Sequence, residues 1–201
     1  MSDSLASPGT STGHGCGPAS EWVMRWGQLV SPGAAVLDVA CGRGRHSHWF
    51  AERGHPVTAL DKDGDALSAI DTADLPITTV MADIEGGGWP LQGRTYGAVV
   101  VTNYLWRPLW PTLAAAIAPG GTLLYETFAE GNASVGRPRR PEFLLQHGEL
   151  LQWCQMAGLR VIAYEDGFLQ SPERFVQRVA AVRWEDSDES EEPPKRWPLT
   201  P

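Results

Sequence analysis

The chain has 201 residues, 42% of them apolar, which suffices for one sizeable core and, on length, favours one domain. Its formal net charge is −8, of which residues 185–201, with six acids and two bases, carry −4, leaving −4 for residues 1–184. No global basic surplus is present to grip a phosphate backbone, so nucleic acid is disfavoured as a partner, and no apolar stretch approaches the ~20 residues of a membrane span.

The two ends differ from the middle. Residues 1–18 are Ser, Gly, Thr and Pro with almost nothing apolar, which predicts a disordered arm and offers no basic-then-apolar signal peptide. Residues 185–201, opening Glu185-Asp-Ser-Asp-Glu-Ser-Glu-Glu192, predict an acidic disordered tail. The folded body is expected over 19–184. Cys16, Cys41 and Cys154 are scattered without metal spacing, so the reading is reduced thiols in a cytoplasm and no metal site.

Within the body, apolar runs alternate with helical patterns. Residues 20–29 predict a helix capped by Ser20, with Trp22, Trp26 and Leu29 on one side; Pro32-Gly33 ends it. A strand over 35–39 follows, then a helix over 45–53, a strand over 56–60 and a helix over 64–72. Residues 77–82 and 97–102 are strands, the second a continuous apolar run as expected where both sheet faces are covered. A helix over 110–117 stops at Pro119-Gly-Gly121, and a strand over 122–128 follows. A helix over 148–156 precedes two strands, 159–165 and 174–184, with only a short Pro172-containing connection between them. The pattern predicts an α/β fold: a single Rossmann-like three-layer sandwich on a seven-stranded, mostly parallel sheet, closed by an antiparallel hairpin at the C-terminal end.

Val36-Leu-Asp-Val-Ala-Cys-Gly-Arg-Gly-Arg45 is the most informative stretch: an apolar strand ending in a glycine turn that opens a helix. The next strand ends on Asp61. Strand, tight turn, helix, strand, acid describes a pocket for an adenosine-bearing ligand, the second acid being placed to accept bonds from ribose hydroxyls. A dinucleotide fingerprint needs three glycines; here Ala40 holds the first small position and Ser47 stands where the third glycine would fall. Asp38 before the turn would also repel a pyrophosphate.

The Asp38-x-Ala40-Cys41-Gly42-x-Gly44 pattern resembles motif I of the class I S-adenosylmethionine-dependent methyltransferases, commonly D-x-G-C-G-x-G, with Ala40 as the departure. Five βα units followed by a hairpin is also that family's layout, so the resemblance covers nearly the whole body. It implies S-adenosyl-L-methionine as cofactor, held by Asp38, Ala40, Cys41, Gly42, Gly44, Asp61, Lys62, Asp83, Ile84 and Asn103. Asp83 would accept the adenine amino group and Ile84 would pack on the ring. Asn103, at the motif IV position, would border cofactor and acceptor. Substrate-side candidates are Tyr104, Arg107 and His46. Tyr104 and Trp106 offer rings to a sulfonium, Arg107 offers charge to an anionic substrate group, and His46 offers a base. Arg25 is a candidate for the methionine carboxylate, and His48 and His147 are secondary base candidates. The long connection 129–147, with Gly131-Asn132 and Gly136-Arg-Pro-Arg-Arg140, reads as a substrate lid. With Asn103-Tyr-Leu-Trp-Arg-Pro108 it looks like the small bacterial methyltransferases of the tellurite-resistance type.

The implied function is direct in-line methyl transfer to a small-molecule acceptor. No catalytic residue is assigned, because an activated donor demands alignment and exclusion of water more than a dedicated base. Two alternatives stand beside it: a nicotinamide-dependent oxidoreductase, opposed by the missing third glycine and the terminal hairpin, and a non-catalytic cofactor-binding module acting through partners.

Overall fold

The computed structural model describes residues 17–184 and 196–199. Most of the expected arm (1–16) and most of the expected tail (185–195 and 200–201) lie outside the described residues. The elements, in chain order, are α1 (Glu21–Trp26), β1 (Val36–Val39), α2 (Arg45–Ala51), β2 (Val57–Asp61), α3 (Gly64–Ser68), β3 (Ile77–Met81), β4 (Tyr96–Thr102), α4 (Trp110–Ala116), β5 (Ile117–Phe128), α5 (Glu149–Met156), β6 (Leu159–Gln170) and β7 (Glu173–Arg183).

Local chemistry sets several of these boundaries. Ser20 caps α1 by accepting the Val23 N–H at 3.1 Å, and Asp63 caps α3 by accepting the N–H groups of Asp65 and Ala66. Helix α3 ends at Ser68 rather than running to residue 72. Just beyond it, Asp71 takes the Ala73 N–H at 3.0 Å, an Asx turn that competes with further helix.

The seven strands form one sheet in the order β3-β2-β1-β4-β5-β7-β6. Strands β1 to β5 are mutually parallel, while β7 runs antiparallel to both β5 and β6. The expected hairpin is therefore present, with β7, the second of its strands, inserted between β5 and β6. Strand β6 extends to Gln170, past the expected 165, because the hairpin continues as a two-stranded ribbon in which Leu169 opposes Arg174. Strand β5 starts at Ile117, and the Pro119-Gly120-Gly121 segment is absorbed as a register shift opposite Tyr96 and Ala98.

Alternate residues feed two apolar layers. On one face Trp22, Phe50 and Leu67 pack against Val36, Ala59, Val100 and Leu124. On the other Trp110, Leu113, Leu150 and Trp153 pack against Leu37, Val99 and Leu123, with the Trp110 and Trp153 rings stacked 5.0 Å apart. Both faces of the central strands are thus dry, which is why they read as unbroken apolar runs. No helix among the described residues is long and apolar enough to cross a membrane. The parallel strands all end on one edge, and that edge carries the candidate site residues.

Candidate functional site

Strand β1 leads into Ala40-Cys41-Gly42, a turn that bends through three left-handed residues: Ala40 at φ 53°, Gly42 at φ 55° and Gly44 at φ 74°. Glycine meets this geometry without strain, and a Cβ on Gly44 would lie 2.8 Å from the Ile70 side chain. Above Gly42, by contrast, the space a Cβ would occupy is open. A ligand can therefore approach the backbone there.

Asp61, at the end of β2, braces this turn. Its Oδ2 accepts the Gly42 N–H at 2.7 Å and its Oδ1 accepts the Asp63 N–H at 2.9 Å. A carboxylate offers about four lone-pair directions, so acceptor capacity remains beyond these two bonds. After β3, Asp83 Oδ1 accepts the Glu85 and Gly86 N–H groups at 3.0 and 3.2 Å. Those two N–H groups hold its carboxyl below the usual carboxylate range. Ala40, Asp61, Lys62, Ala82, Asp83, Ile84, Glu85 and Tyr104 together line one cleft of about 150 Å³. Burial, followed by the charge of nearby Glu85, pushes the Tyr104 phenol above its ordinary range.

Asp38 does not face this cleft in the same manner. It is 1% exposed, accepts the Ser47 hydroxyl at 2.6 Å through Oδ2, and has no partner at Oδ1. Burial outweighs the Ser47 bonds and raises its carboxyl to about 7. Cys41 is buried beneath the turn.

The substrate-side candidates divide. Tyr104 joins the cleft, and Asn103 precedes it in a left-handed conformation, φ 54°, with its N–H bonded to the Glu126 carbonyl. Arg107 is occupied elsewhere: it gives Nε and Nη2 to Glu149, Nη1 to the Glu142 carbonyl and another Nη2 bond to the Leu144 carbonyl. The Glu149 bond is the main reason its pKa is raised. Arg107 therefore clamps the 129–147 connection to the start of α5. His46 is 1% exposed, accepts the Ser20 N–H at Nε2, and lies 3.4 Å from the Thr102 hydroxyl. Burial and then Arg45 lower it to about 3, so it is a neutral bracket for the segment entering α1. Arg25 is exposed and pairs with Glu165 at 3.5 Å. His48 bonds the Gly44 carbonyl, and His147, largely exposed, pairs with Asp166. Among the described residues no group of three or more His, Cys, Asp or Glu is arranged to hold a metal.

Two features escaped the sequence reading. Glu85 and Ala82 line the cleft beside Asp83 and Ile84. More importantly, Glu126, 1% exposed on β5, contacts Arg174 at 3.3 Å and Arg178 at 3.4 Å on β7. The available signals were an acid inside the apolar run Leu123–Phe128 and two arginines spaced for one face of a strand.

A methyltransferase-domain family model matches residues 36–121, the span from β1 to the start of β5. Trans-aconitate 2-methyltransferase of Rhizobium meliloti is 32% identical over 98 residues, covering 46% of this chain and 37% of that protein. Demethylmenaquinone methyltransferase of Corynebacterium urealyticum is 28% identical over 166 residues, covering 80% of this chain and 65% of that protein. The chain thus spans less than two thirds of the length of either relative. Among solved structures, TehB from Haemophilus influenzae superposes with a TM-score of 0.62 at 22% identity, over 79% of this chain and 59% of that one, a likeness of fold. The glycine turn, Asp38 in β1, Asp61 at the end of β2, the strand order and these matches converge on one likeness: residues 36–121 match a methyltransferase domain, and the fold is similar to that of S-adenosylmethionine-dependent methyltransferases.

Proposed function

We propose that this protein binds S-adenosyl-L-methionine in the cleft beside the Ala40–Gly44 turn and moves its methyl group to a small-molecule acceptor. The observation that carries this reading is the Asp61 carboxylate, fixed by the Gly42 N–H at 2.7 Å at the lip of a cleft shared with Asp83, Ile84 and Tyr104. Asp61 retains acceptor capacity for ribose hydroxyls, Asp83 retains Oδ2 for an amino group, and Ile84 supplies an apolar flank. The methylations named for the two relatives, of trans-aconitate and demethylmenaquinone, support a small-molecule acceptor.

S-adenosylmethionine supplies a methyl group on a sulfonium, so the acceptor's lone pair forms the new bond as the carbon–sulfur bond breaks. The residues here have a correspondingly modest task. The turn and Asp61 fix the nucleoside, Tyr104 forms a wall of the cleft, and Asn103 marks the boundary with the acceptor side. Exclusion of water and alignment supply the rate. None of these tasks needs a protein nucleophile.

Calorimetry tests the cofactor directly: S-adenosylmethionine and S-adenosylhomocysteine should bind at micromolar levels and NAD should not. Asp61→Ala should weaken binding of both by tenfold or more, through loss of the ribose acceptor and of the turn's brace. Unchanged affinity would remove Asp61 from the site. Transfer of labelled methyl to fractionated metabolites, RNA and protein separates a small-molecule enzyme from the two alternatives. Label confined to RNA or protein, or none at all despite tight binding, would overturn the reading.

A further inference from the structure

Beyond Asn103, away from the nucleoside cleft, lies a chain of charges that links α1, β5, β6 and β7. Arg25 on α1 meets Glu165 on β6 at 3.5 Å; Glu165 meets Arg178 on β7 at 2.6 Å; Arg178 meets Glu126 on β5 at 3.4 Å; Glu126 meets Arg174 on β7 at 3.3 Å. Arg25 is 48% exposed and belongs to the surface; further in, two arginines, Arg174 and Arg178, face two glutamates, Glu126 and Glu165. A carboxylate in the interior is normally balanced, and so is a guanidinium. Here the charges balance in number, but the contacts are shared unevenly.

The distances show where the pairing is weak. Arg178 is fully engaged: Nε and Nη2 both bond Glu165, at 2.7 and 2.6 Å, Nη1 reaches Glu126, and the guanidinium lies over the Trp22 ring. Arg174 is held only by two long contacts, Nη2 to Glu126 at 3.3 Å and Nη1 to the Asn103 amide oxygen at 3.4 Å. Its Nε is buried and has no hydrogen-bond partner. A guanidinium has five N–H donors in a planar fork, so Arg174 keeps several unused. Its side chain is 17% exposed, and its contact with Asn103 lies at the surface.

Position gives these free donors a purpose. Arg174 touches Asn103, and the next residue, Tyr104, lines the nucleoside cleft. Asn103 is itself held in a left-handed conformation by the Glu126 carbonyl, the kind of local strain that clusters at ligand sites. Arg174, with N–H donors to spare, is thus one residue removed from the cofactor side of the sheet edge.

We infer that Arg174 is the specificity-determining residue for a small acceptor that carries a carboxylate, which docks against its free N–H donors while Asn103 sets the distance to the cofactor. Glu126 and Arg178 act as positioning residues: Glu126 fixes the Arg174 fork, and Arg178 prevents Glu126 from neutralising it. A carboxylate matches the planar fork in a way that an ammonium or a neutral amide does not. This inference rests on the methyltransferase reading.

The test uses the full-length protein loaded with labelled S-adenosylmethionine and a panel of small organic acids, each paired with its neutral amide. Label should enter acids and not their amides. For the best acid, Arg174→Met should raise KM ten- to a hundredfold with kcat changed by less than threefold, and Arg174→Lys should recover part of that loss. Glu126→Gln should raise KM less, since it loosens the fork without removing it. Binding of S-adenosylhomocysteine to Arg174→Met should stay within twofold of the parent; this, with an unchanged Tm, separates a lost acceptor contact from a lost fold. Equal labelling of acids and amides, no labelled acid anywhere in the panel, or an Arg174→Met variant with unchanged KM would each overturn the inference. Failure of the parent protein to bind S-adenosylhomocysteine would instead strike the methyltransferase reading beneath it.

Discussion

Ala40 is the one residue at which the turn departs from the methyltransferase motif it resembles, and it sits where the backbone is left-handed, φ 53°. An L-residue with a Cβ is disfavoured there by about 1 kcal/mol relative to glycine. Ala40→Gly should therefore raise stability by about that amount in urea melts while leaving cofactor affinity near the parent value. Asp38 offers a second measurement. Burial raises its folded carboxyl from 3.8 to about 7, so between those values the folded state holds a proton that the unfolded chain has released. Stability from this group is then lost as pH rises from about 4 through about 7. Asp38→Asn should flatten that part of a Tm-against-pH curve, and should leave the protein relatively more stable at pH 8. A parent curve that rises from pH 5 to 8 with no difference in the variant would contradict the burial argument.

At the scale of elements, the 129–147 connection is better described as docked than as loose. Arg107 ties its C-terminal half to α5, Leu145 pairs back with Ala129, and Asn132 bonds both the Pro138 carbonyl and the Phe175 N–H. Charge-assisted bonds of the kind Arg107 makes are worth roughly 1.5–3 kcal/mol each when well formed, less where the group is partly solvated. Arg107→Ala should cost about 2 kcal/mol and should open the 130–142 stretch to limited proteolysis well before global unfolding. Resistance equal to the parent would show that Leu144 and Leu145 alone hold the segment. The clamp also has a pH limit on the acid side. Burial opposes ionisation of Glu149, but Arg107 and the Gln146 N–H outweigh it and hold its carboxyl below the usual range. Its contribution is present at neutral pH and is lost as pH falls through that lowered value.

For the molecule as a whole, how much the sequence revealed depended on how local each signal was. The order of strands and helices was readable because each strand is a short apolar run bounded by Gly, Pro or Asp, and both sheet faces are covered. The bond between the turn and Asp61 was foreshadowed because the two lie on consecutive units of one βα repeat. The Glu126–Arg174–Arg178 contact was not, since it joins residues 48 and 52 positions apart through strand register, which no local pattern encodes. Likewise Arg107 looked like a substrate ligand because its partner Glu149 lies 42 positions away. Charges whose partners are distant look free in a sequence, and only the fold shows which of them remain so.

Strand β7 comes last in chain order, yet it occupies an inner lane of the sheet, with β5 on one side and β6 on the other. During synthesis from the N-terminus, every other strand therefore emerges before the one that joins the two flanks. Until residues 173–183 arrive, β5 and β6 each present a bare main-chain edge, and the Leu123 and Tyr125 layer lacks its lateral seal. A chain stopped at residue 172 should accordingly be recovered as aggregate rather than as a smaller soluble protein. A ribosome-arrested series should gain protease resistance abruptly once β7 has cleared the exit tunnel, rather than step by step with each βα unit.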